Sequence, residues 1–157
     1  MKSSRKLKLL LDSTYLLPIV GVEVKGVENT LILLKKLRDK EKAEYYYTPF
    51  NLFEIIGKLS RLSYDPDRAA IGLTAIEEEF KLIQPTLQGY LKALALRAKG
   101  YRDLIDLILY ATSQTSNIIF LTRDYALIRF LRENHEDTSN ILYEKKFLEG
   151  YASTRQT

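Results

Sequence analysis

The sequence has no cysteine and a single histidine, and these two absences remove whole classes of chemistry. Without cysteine the 157-residue chain forms no disulfide, no thiolate zinc site and no cysteine nucleophile. The lone histidine, His135, lies in a polar stretch that is typical of the solvated end of a helix. The sequence therefore argues against a catalytic triad with a histidine base and against a histidine-rich metal site. Any catalysis must use carboxylates, hydroxyls, lysines or a hard metal ion.

Long hydrophobic runs are also missing. No apolar stretch approaches the roughly 20 residues that a helix needs to span a bilayer. The basic start of the chain is followed by apolar residues, as in a signal peptide, but Lys8 and Asp12 interrupt that apolar run and no clean small-residue cleavage site follows. We therefore expect a cytoplasmic protein with no membrane segment.

The composition that is present suits one globular domain. Hydrophobic residues make up 46% of the chain, and its length allows a sizeable core. The formal charge of +4 favours a polyanionic partner only weakly, because many ordinary proteins are this basic. No repeat, low-complexity block or linker interrupts the sequence. We expect a single domain over residues 1–157, with a core at about 7–143 and a frayed tail from about Gly150.

Apolar strands alternate with amphipathic helices along the whole chain. The first predicted strand is the leucine-rich run that ends at Leu11, and the others cover residues 45–48, 81–84, 117–121 and 140–143. Helices are predicted over 28–40, 51–62, 65–79, 87–99, 103–113 and 125–133. This alternation predicts an α/β fold, a three-layer α/β/α sandwich with a central parallel sheet of about five strands.

Acidic residues follow several of the predicted strands. Asp12 comes directly after the first strand, and Asp124 follows the fourth strand through Thr122-Arg123. Glu54 lies early in the helix that comes after the second strand. In a parallel sheet these three acids belong to the carboxyl edge, which is where open α/β sheets place their ligands.

A further acid, Asp106, lies in the most apolar helix of the chain. A helix this apolar should be buried, and an ionised carboxylate on it is costly unless it is paired or bound to a metal. Asp103 lies one turn earlier on the same face. The simpler alternative is that both acids favour the helix N-terminus, where the macrodipole attracts anions.

The other acids have simpler explanations too. Asp12 would cap a short helix over residues 13–17, Asp124 would cap the helix that begins at Tyr125, and Glu54 would pair with Lys58 in solvent. Taken together, however, four carboxylates a few ångströms apart would raise one another's pKa values, and a divalent cation removes that conflict. With oxygen ligands and no cysteine, Mg²⁺ or Mn²⁺ is the natural choice.

Four segments of the sequence resemble the PIN domain pattern in order, spacing and local context. They are Leu9-Leu10-Leu11-Asp12-Ser13-Thr14, Phe53-Glu54, Asp106-Leu107-Ile108-Leu109-Tyr110-Ala111-Thr112-Ser113 and Leu121-Thr122-Arg123-Asp124. The resemblance extends from about Leu7 to Tyr143. PIN domains are metal-dependent ribonucleases, widespread as VapC-type toxins of toxin–antitoxin pairs and as RNA-processing enzymes. The resemblance implies this fold and this activity for the chain.

The resemblance also implies roles for individual residues. Asp12 and Asp106 would hold a first Mg²⁺ or Mn²⁺, and Asp124 with Glu54 would complete the acidic site. Thr122 is a possible polar helper, and Asp103 is an additional acid near the site. The expected reaction is hydrolysis of an RNA phosphodiester bond by metal-activated water.

The expected substrate is single-stranded or looped RNA, whose bases are within reach of side chains. Lysine and arginine number 24, and 16 of the 20 acids remain when the four site acids are set aside, so the rest of the protein carries a net charge of +8. That charge suits an anionic strand, and exposed tyrosines would stack on unpaired bases, although we expect most of the 11 tyrosines to be core or partly buried residues. A cognate antitoxin and a homodimeric state are the partners that the resemblance implies.

Three other interpretations stay open at this point. Asp12-Ser13-Thr14 loosely resembles the start of a haloacid-dehalogenase-like phosphatase, although Thr14 stands where that family has a second aspartate. A phosphorelay receiver shares the architecture but has its phosphoacceptor after the third strand, where this chain has Gln84-Pro85. A catalytically inactive PIN-like module that binds RNA or a partner protein is the third, and the intact set of acids argues against it.

Overall fold

The computed structural model describes residues 5–152. The first four residues of the basic start, and the part of the expected frayed tail beyond Ala152, lie outside the described residues. The chain divides into two compact units, Met1–Ile83 and Gln84–Thr157, which we call the N-terminal and C-terminal units. The expectation of a single domain stays a prediction.

The five strands form an all-parallel sheet, and helices follow them along the chain, so the predicted α/β class is confirmed. The strands are β1 (Leu7–Leu11), β2 (Ala43–Tyr47), β3 (Lys81–Leu82), β4 (Ile119–Thr122) and β5 (Ile141–Tyr143). The helices are α1 (Glu28–Asp39), α2 (Pro49–Ser60), α3 (Pro66–Glu79), α4 (Leu87–Ala98), α5 (Leu104–Ser116), α6 (Tyr125–Glu133) and α7 (Glu144–Tyr151). Two 3-10 turns, Ser13–Tyr15 and Leu17–Val20, follow β1. None of the helices within residues 5–152 has both the length and the apolar character that crossing a membrane requires.

In the N-terminal unit β2 lies between β1 and β3 and runs parallel to both. Leu9 stands opposite Tyr45, and Tyr47 stands opposite Leu82. The leucines at the end of β1 are buried although successive side chains point to opposite faces, with Leu9 and Leu10 0% exposed and Leu11 2% exposed. Burial on both faces is what a continuous apolar run predicts for a strand of a parallel sheet.

A capping box starts α2 two residues before the predicted helix 51–62. The Thr48 hydroxyl accepts hydrogen bonds from the backbone N–H groups of Phe50 and Asn51, and the Asn51 side chain accepts one from the Thr48 backbone N–H. Pro49 occupies the first helical position, where a missing N–H costs nothing. These contacts fix the direction in which α2 leaves the carboxyl end of β2.

Close backbone packing joins α3 to the second 3-10 turn. Asp65 caps α3 by accepting hydrogen bonds from the N–H groups of Asp67 and Arg68. Gly72, in the middle of the helix, lies directly against the chain at Ile19 and Val20. A Cβ atom at Gly72 would collide with the Ile19 carbonyl oxygen and lie 2.8 Å from Val20 Cα. Only glycine therefore permits this approach.

In the C-terminal unit α5 is the buried helix that its sequence predicts. All its residues from Asp106 to Ser113 are buried. The helix continues to Ser116, past the predicted end at Ser113, and stops where Asn117 adopts a left-handed conformation with φ of 53°. Beyond it β4 runs parallel to β5, with Phe120 opposite Ile141. The observed bounds of α6 are the predicted ones.

The structure also corrects other predictions about the elements. The chain after β5 is not loose but forms α7, whose Phe147 is fully buried, and this helix includes Gly150, where the frayed tail was expected to begin. The predicted strand 81–84 is only the two residues of β3. The predicted helix 103–113 begins at Leu104, with Asp103 as its N-cap.

Candidate functional site

Asp12 is the first residue after β1, at the carboxyl end of the strand, and only 9% of it is exposed. Its carbonyl oxygen accepts a hydrogen bond from the Tyr15 N–H at 3.0 Å, which closes the first 3-10 turn. Its side chain makes no capping hydrogen bond. The alternative explanation, in which the Asp12 side chain caps a short helix, is therefore wrong, since the turn forms without a capping bond from the carboxylate.

Glu54 lies in the second turn of α2, and its carboxylate is held beside the end of β1. The Ser13 hydroxyl donates a hydrogen bond of 2.6 Å to Glu54 Oε1, across 41 residues of sequence. Ser13 is itself buried and follows Asp12 directly. Ser13, which follows the predicted site acid Asp12 in the chain, thus holds the second predicted site acid, Glu54.

Asn51 is a residue of this site that sequence reasoning missed. Its side-chain amide donates hydrogen bonds of 3.0 Å to the Leu11 carbonyl and 3.0 Å to Ser13 Oγ, and the residue is fully buried. One side chain therefore links the end of β1, the start of α2 and the serine that holds Glu54. The available signal was Thr48-Pro49-Phe50-Asn51, a Thr-x-x-Asn variant of the capping box, which marks Asn51 as a fixed side chain.

In the C-terminal unit Asp103 and Asp106 both lie at the N-terminus of α5, where the simpler explanation placed them. Asp103 is the N-cap of α5, and its Oδ1 accepts a hydrogen bond from the Asp106 backbone N–H at 3.1 Å. The helix-terminus explanation is therefore confirmed for Asp103. Asp106 lies in the first turn of α5, so this explanation holds for its position too, and the residue is only 7% exposed.

Asp124 is the N-cap of α6, as its alternative explanation predicted. Its Oδ1 accepts hydrogen bonds from the N–H groups of Ala126 at 3.0 Å and Leu127 at 3.3 Å. The buried Thr122 hydroxyl accepts a hydrogen bond of 3.0 Å from the Asp124 backbone N–H. Thr122 thus holds the backbone of Asp124 in place, while Asp124 Oδ2 takes no part in the cap, and the role of Thr122 as a polar helper stays a prediction.

Tyr101 contacts the second oxygen of Asp124, and it is a residue of this site that sequence reasoning missed. Its hydroxyl donates a hydrogen bond of 2.8 Å to Asp124 Oδ2. Burial, this hydrogen bond, and the nearby negative charges of Asp106, Asp124 and Asp103 raise the pKa of Tyr101 far above its usual range. The charges of three predicted site acids therefore act on one phenol. No spacing rule singled out this tyrosine, because its partner is 23 residues away.

The structure thus gathers the predicted residues in two sets, each within one unit. Asp12 and Glu54 are connected through Ser13, and Asp103, Asp106 and Asp124 lie around Tyr101. Across residues 5–152, no three His, Asp or Glu side chains form a group that is arranged to hold a metal ion. The set of four metal ligands stays a prediction.

Comparisons with known proteins agree with this fold. The family model described as PIN domain matches residues 9–132. No curated protein gives a significant match.

Among solved structures, VapBC2 from Rickettsia felis bound to a promoter DNA fragment is 14% identical, with a TM-score of 0.58 over 79% of this chain and 93% of that chain. A toxin–antitoxin complex from Klebsiella pneumoniae is 14% identical, with a TM-score of 0.56 over 87% of this chain and 97% of that chain. FitAcB from Neisseria gonorrhoeae is 13% identical, with a TM-score of 0.56 over 87% and 97%. At these identities the structural likeness shows the fold alone, and the family match replaces the phosphatase and receiver interpretations.

Proposed function

The chain belongs to the PIN domain family, and on that premise we propose that it is a metal-dependent endoribonuclease that hydrolyses RNA phosphodiester bonds. We further propose that it acts as the toxin of a toxin–antitoxin pair rather than as an RNA-processing enzyme, because the similar structures are toxin–antitoxin complexes. A cognate antitoxin, a homodimeric state and a cytoplasmic location belong to the same proposal.

One observation carries the proposal. The hydroxyl of Ser13, the residue after Asp12, donates a hydrogen bond to Glu54, so the Glu54 carboxylate lies beside the carboxyl end of β1, where Asp12 follows the strand. Asn51 and Ser13 are buried there and hold Glu54 in place through hydrogen bonds. Acids at the carboxyl edge of a parallel sheet lie where open α/β sheets bind their ligands.

The donor chemistry fits a hard divalent cation. The predicted ligands, Asp12, Glu54, Asp106 and Asp124, are all carboxylates, which Mg²⁺ and Mn²⁺ prefer. Mg²⁺ usually keeps several waters and binds through one or two carboxylates plus substrate phosphates, so a preformed group of three acids is not required. When bound, the cation would lower the pKa of a coordinated water and neutralise charge that develops on the phosphate.

The protein's own residues would orient the acids and bind the strand. Ser13 fixes Glu54, and Thr122 fixes the backbone of Asp124. Directly after Asp124, the ring of Tyr125 is 45% exposed, and the Arg129 guanidinium lies 5.7 Å from its centroid. An exposed ring beside a cation is suited to stacking on an unpaired base next to a phosphate, as single-stranded RNA requires.

A second candidate function is a PIN-like module that binds RNA or a protein without cleaving it. The observation that favours it is that no group of three acids within residues 5–152 is arranged to hold a metal. The two functions differ in one measurable property, which is metal-dependent turnover of RNA.

The test is to incubate the protein with fluorescent single-stranded RNA, with Mn²⁺ or with EDTA. We expect cleavage only with Mn²⁺, and a loss of at least about 100-fold in Asp12→Asn and in Asp106→Asn. Asp39→Asn is the matched control, because Asp39 is an exposed acid on α1 paired with Lys35, and this variant should cleave like the wild type. Binding without cleavage, unchanged by the Asp12 and Asp106 substitutions, would identify the module instead.

A further inference from the structure

The hydroxyl of Tyr101 and the ring of Tyr101 both contact the segment that carries Asp124. The hydroxyl donates to Asp124 Oδ2 at 2.8 Å, while the ring packs on Phe130 of α6 with 5.1 Å between centroids. Asp124 is the N-cap of that same helix. The ring therefore anchors the tyrosine to the body of α6, and the hydroxyl reaches the acid at its start.

The hydrogen bond to Oδ2 is not needed for capping. Asp124 already caps α6 through Oδ1, which accepts from the N–H groups of Ala126 and Leu127. Those two bonds restrain Oδ1, but small coupled changes of the two side-chain torsion angles can still move Oδ2. The bond from Tyr101 fixes the second oxygen and with it the plane of the carboxylate.

Counting lone pairs shows what this bond leaves available. A carboxylate offers about four lone-pair directions. Two on Oδ1 are used by Ala126 and Leu127, and one on Oδ2 is used by Tyr101. One direction on Oδ2 is left to accept a further partner, so Tyr101 determines where Asp124 can bind anything else.

We propose that Tyr101 is a positioning residue for Asp124, which fixes the carboxylate so that one lone pair of Oδ2 faces the ligand. This role rests on the proposed function, in which Asp124 is one of the acids of a metal-dependent nuclease. Tyr101 acts through Asp124 and touches neither the RNA nor the reacting atoms. The predicted set of four acids does not include this tyrosine.

The experiment compares the wild type with Tyr101→Phe and Tyr110→Phe. Tyr101→Phe removes the hydroxyl and keeps the ring on Phe130. Tyr110→Phe is the matched control, because the Tyr110 hydroxyl donates at 2.6 Å to the backbone carbonyl of Asp137 in the same unit and not to a predicted site acid. Each protein is crystallised free of metal, and its cleavage of single-stranded RNA is measured against the Mn²⁺ concentration.

We expect Tyr101→Phe to rotate the Asp124 carboxylate or split it between two orientations in the metal-free crystal. Its kcat should fall about 10–100-fold, as for other outer groups that orient a metal ligand, and more Mn²⁺ should be needed for half-maximal rate. KM for RNA should stay unchanged, since Tyr101 does not contact the strand. Tyr110→Phe should resemble the wild type in all of these properties.

An Asp124 carboxylate with the wild-type orientation in Tyr101→Phe overturns the proposal. Wild-type kcat despite a moved carboxylate, or an equal loss in both tyrosine variants, overturns it too. If the wild type cleaves no RNA, the proposed function fails by itself. The metal-free crystals then decide the inference alone, because a moved carboxylate supports positioning by Tyr101 and an unmoved one refutes it.

Discussion

Ser13 and Glu54 are 41 residues apart in the sequence, and the serine hydroxyl donates a 2.6 Å hydrogen bond to the glutamate carboxylate. The serine follows β1 and the glutamate lies in α2, so this bond ties a strand end to a helix. Asn51 donates to the same serine oxygen, which leaves the hydroxyl hydrogen directed at Glu54. The pair is a sensitive point for both stability and the proposed activity.

Replacing Ser13 by alanine should destabilise the protein. The substitution removes a donor to a charged group at a buried position and leaves one Asn51 N–H without its acceptor, which should cost about 2 kcal/mol of the free energy of unfolding. The measurement is urea unfolding followed by circular dichroism. Ser60→Ala is the control, because Ser60 is exposed, and it should change the stability by less than about 0.5 kcal/mol. Equal losses in the two variants would show that the Ser13 bond is unimportant.

Two helical glycines should respond in opposite ways to alanine. At Gly72 the new Cβ would collide with the backbone of Ile19 and Val20, so α3 must move and the protein should lose about 1–3 kcal/mol. At Gly57 no atom lies within 4 Å of the new Cβ, and alanine should stabilise α2 by about 0.5–1 kcal/mol. Thermal unfolding of both variants tests this. A Gly72→Ala protein as stable as the wild type would contradict the close packing.

Tyr125 should contribute to RNA affinity. Stacking of a base on an aromatic side chain is worth about 1–3 kcal/mol, so Tyr125→Ala should weaken binding of single-stranded RNA about 5–150-fold. Fluorescence anisotropy in the Asp106→Asn background with EDTA separates binding from cleavage. Tyr64→Ala is the control, since Tyr64 is 49% exposed in the other unit and should leave the affinity unchanged. Equal affinities in the Tyr125 and Tyr64 variants would remove Tyr125 from the RNA surface.

Glu44 should make stability depend on pH in the acid range. The hydrogen bond from Lys81 lowers the pKa of the Glu44 carboxyl below its usual value of 4.5. A carboxyl with a lowered folded-state pKa stabilises the fold above its unfolded pKa and loses that contribution as the pH falls through the folded value. The stability gap between the wild type and Glu44→Gln should therefore be present at pH 7 and shrink by pH 3, as measured by urea unfolding. A gap that grows on acidification would reverse the sign of this argument.

The parts of the fold that sequence patterns predicted are those that local residues determine. α6 has its predicted bounds because Asp124 caps it and its apolar residues keep helical spacing. α7 was missed because eight residues offer only one fully buried apolar anchor, Phe147, which is too little for a periodic pattern. Periodicity detects helices only when several turns face the core.

The candidate site likewise contains residues that the sequence predicted and residues that it missed. The carboxyl-edge positions of Asp12 and Asp124 follow from strand order, so the sequence predicted them. Asn51 and Tyr101 were missed because their partners lie 38–40 and 23 residues away, and only the folded chain brings them together. Such tertiary hydrogen bonds leave no mark in local spacing.

Asp124 anchors a helix through one oxygen and offers the other to its surroundings. Asparagine at this position would still cap α6, because its side-chain carbonyl is about as good an N-cap as the aspartate carboxylate. Asp124→Asn should therefore keep the start of α6 while it removes the negative charge that a metal ligand would supply. On the proposed function, Asp124→Asn should give a folded but inactive protein that still binds its partners.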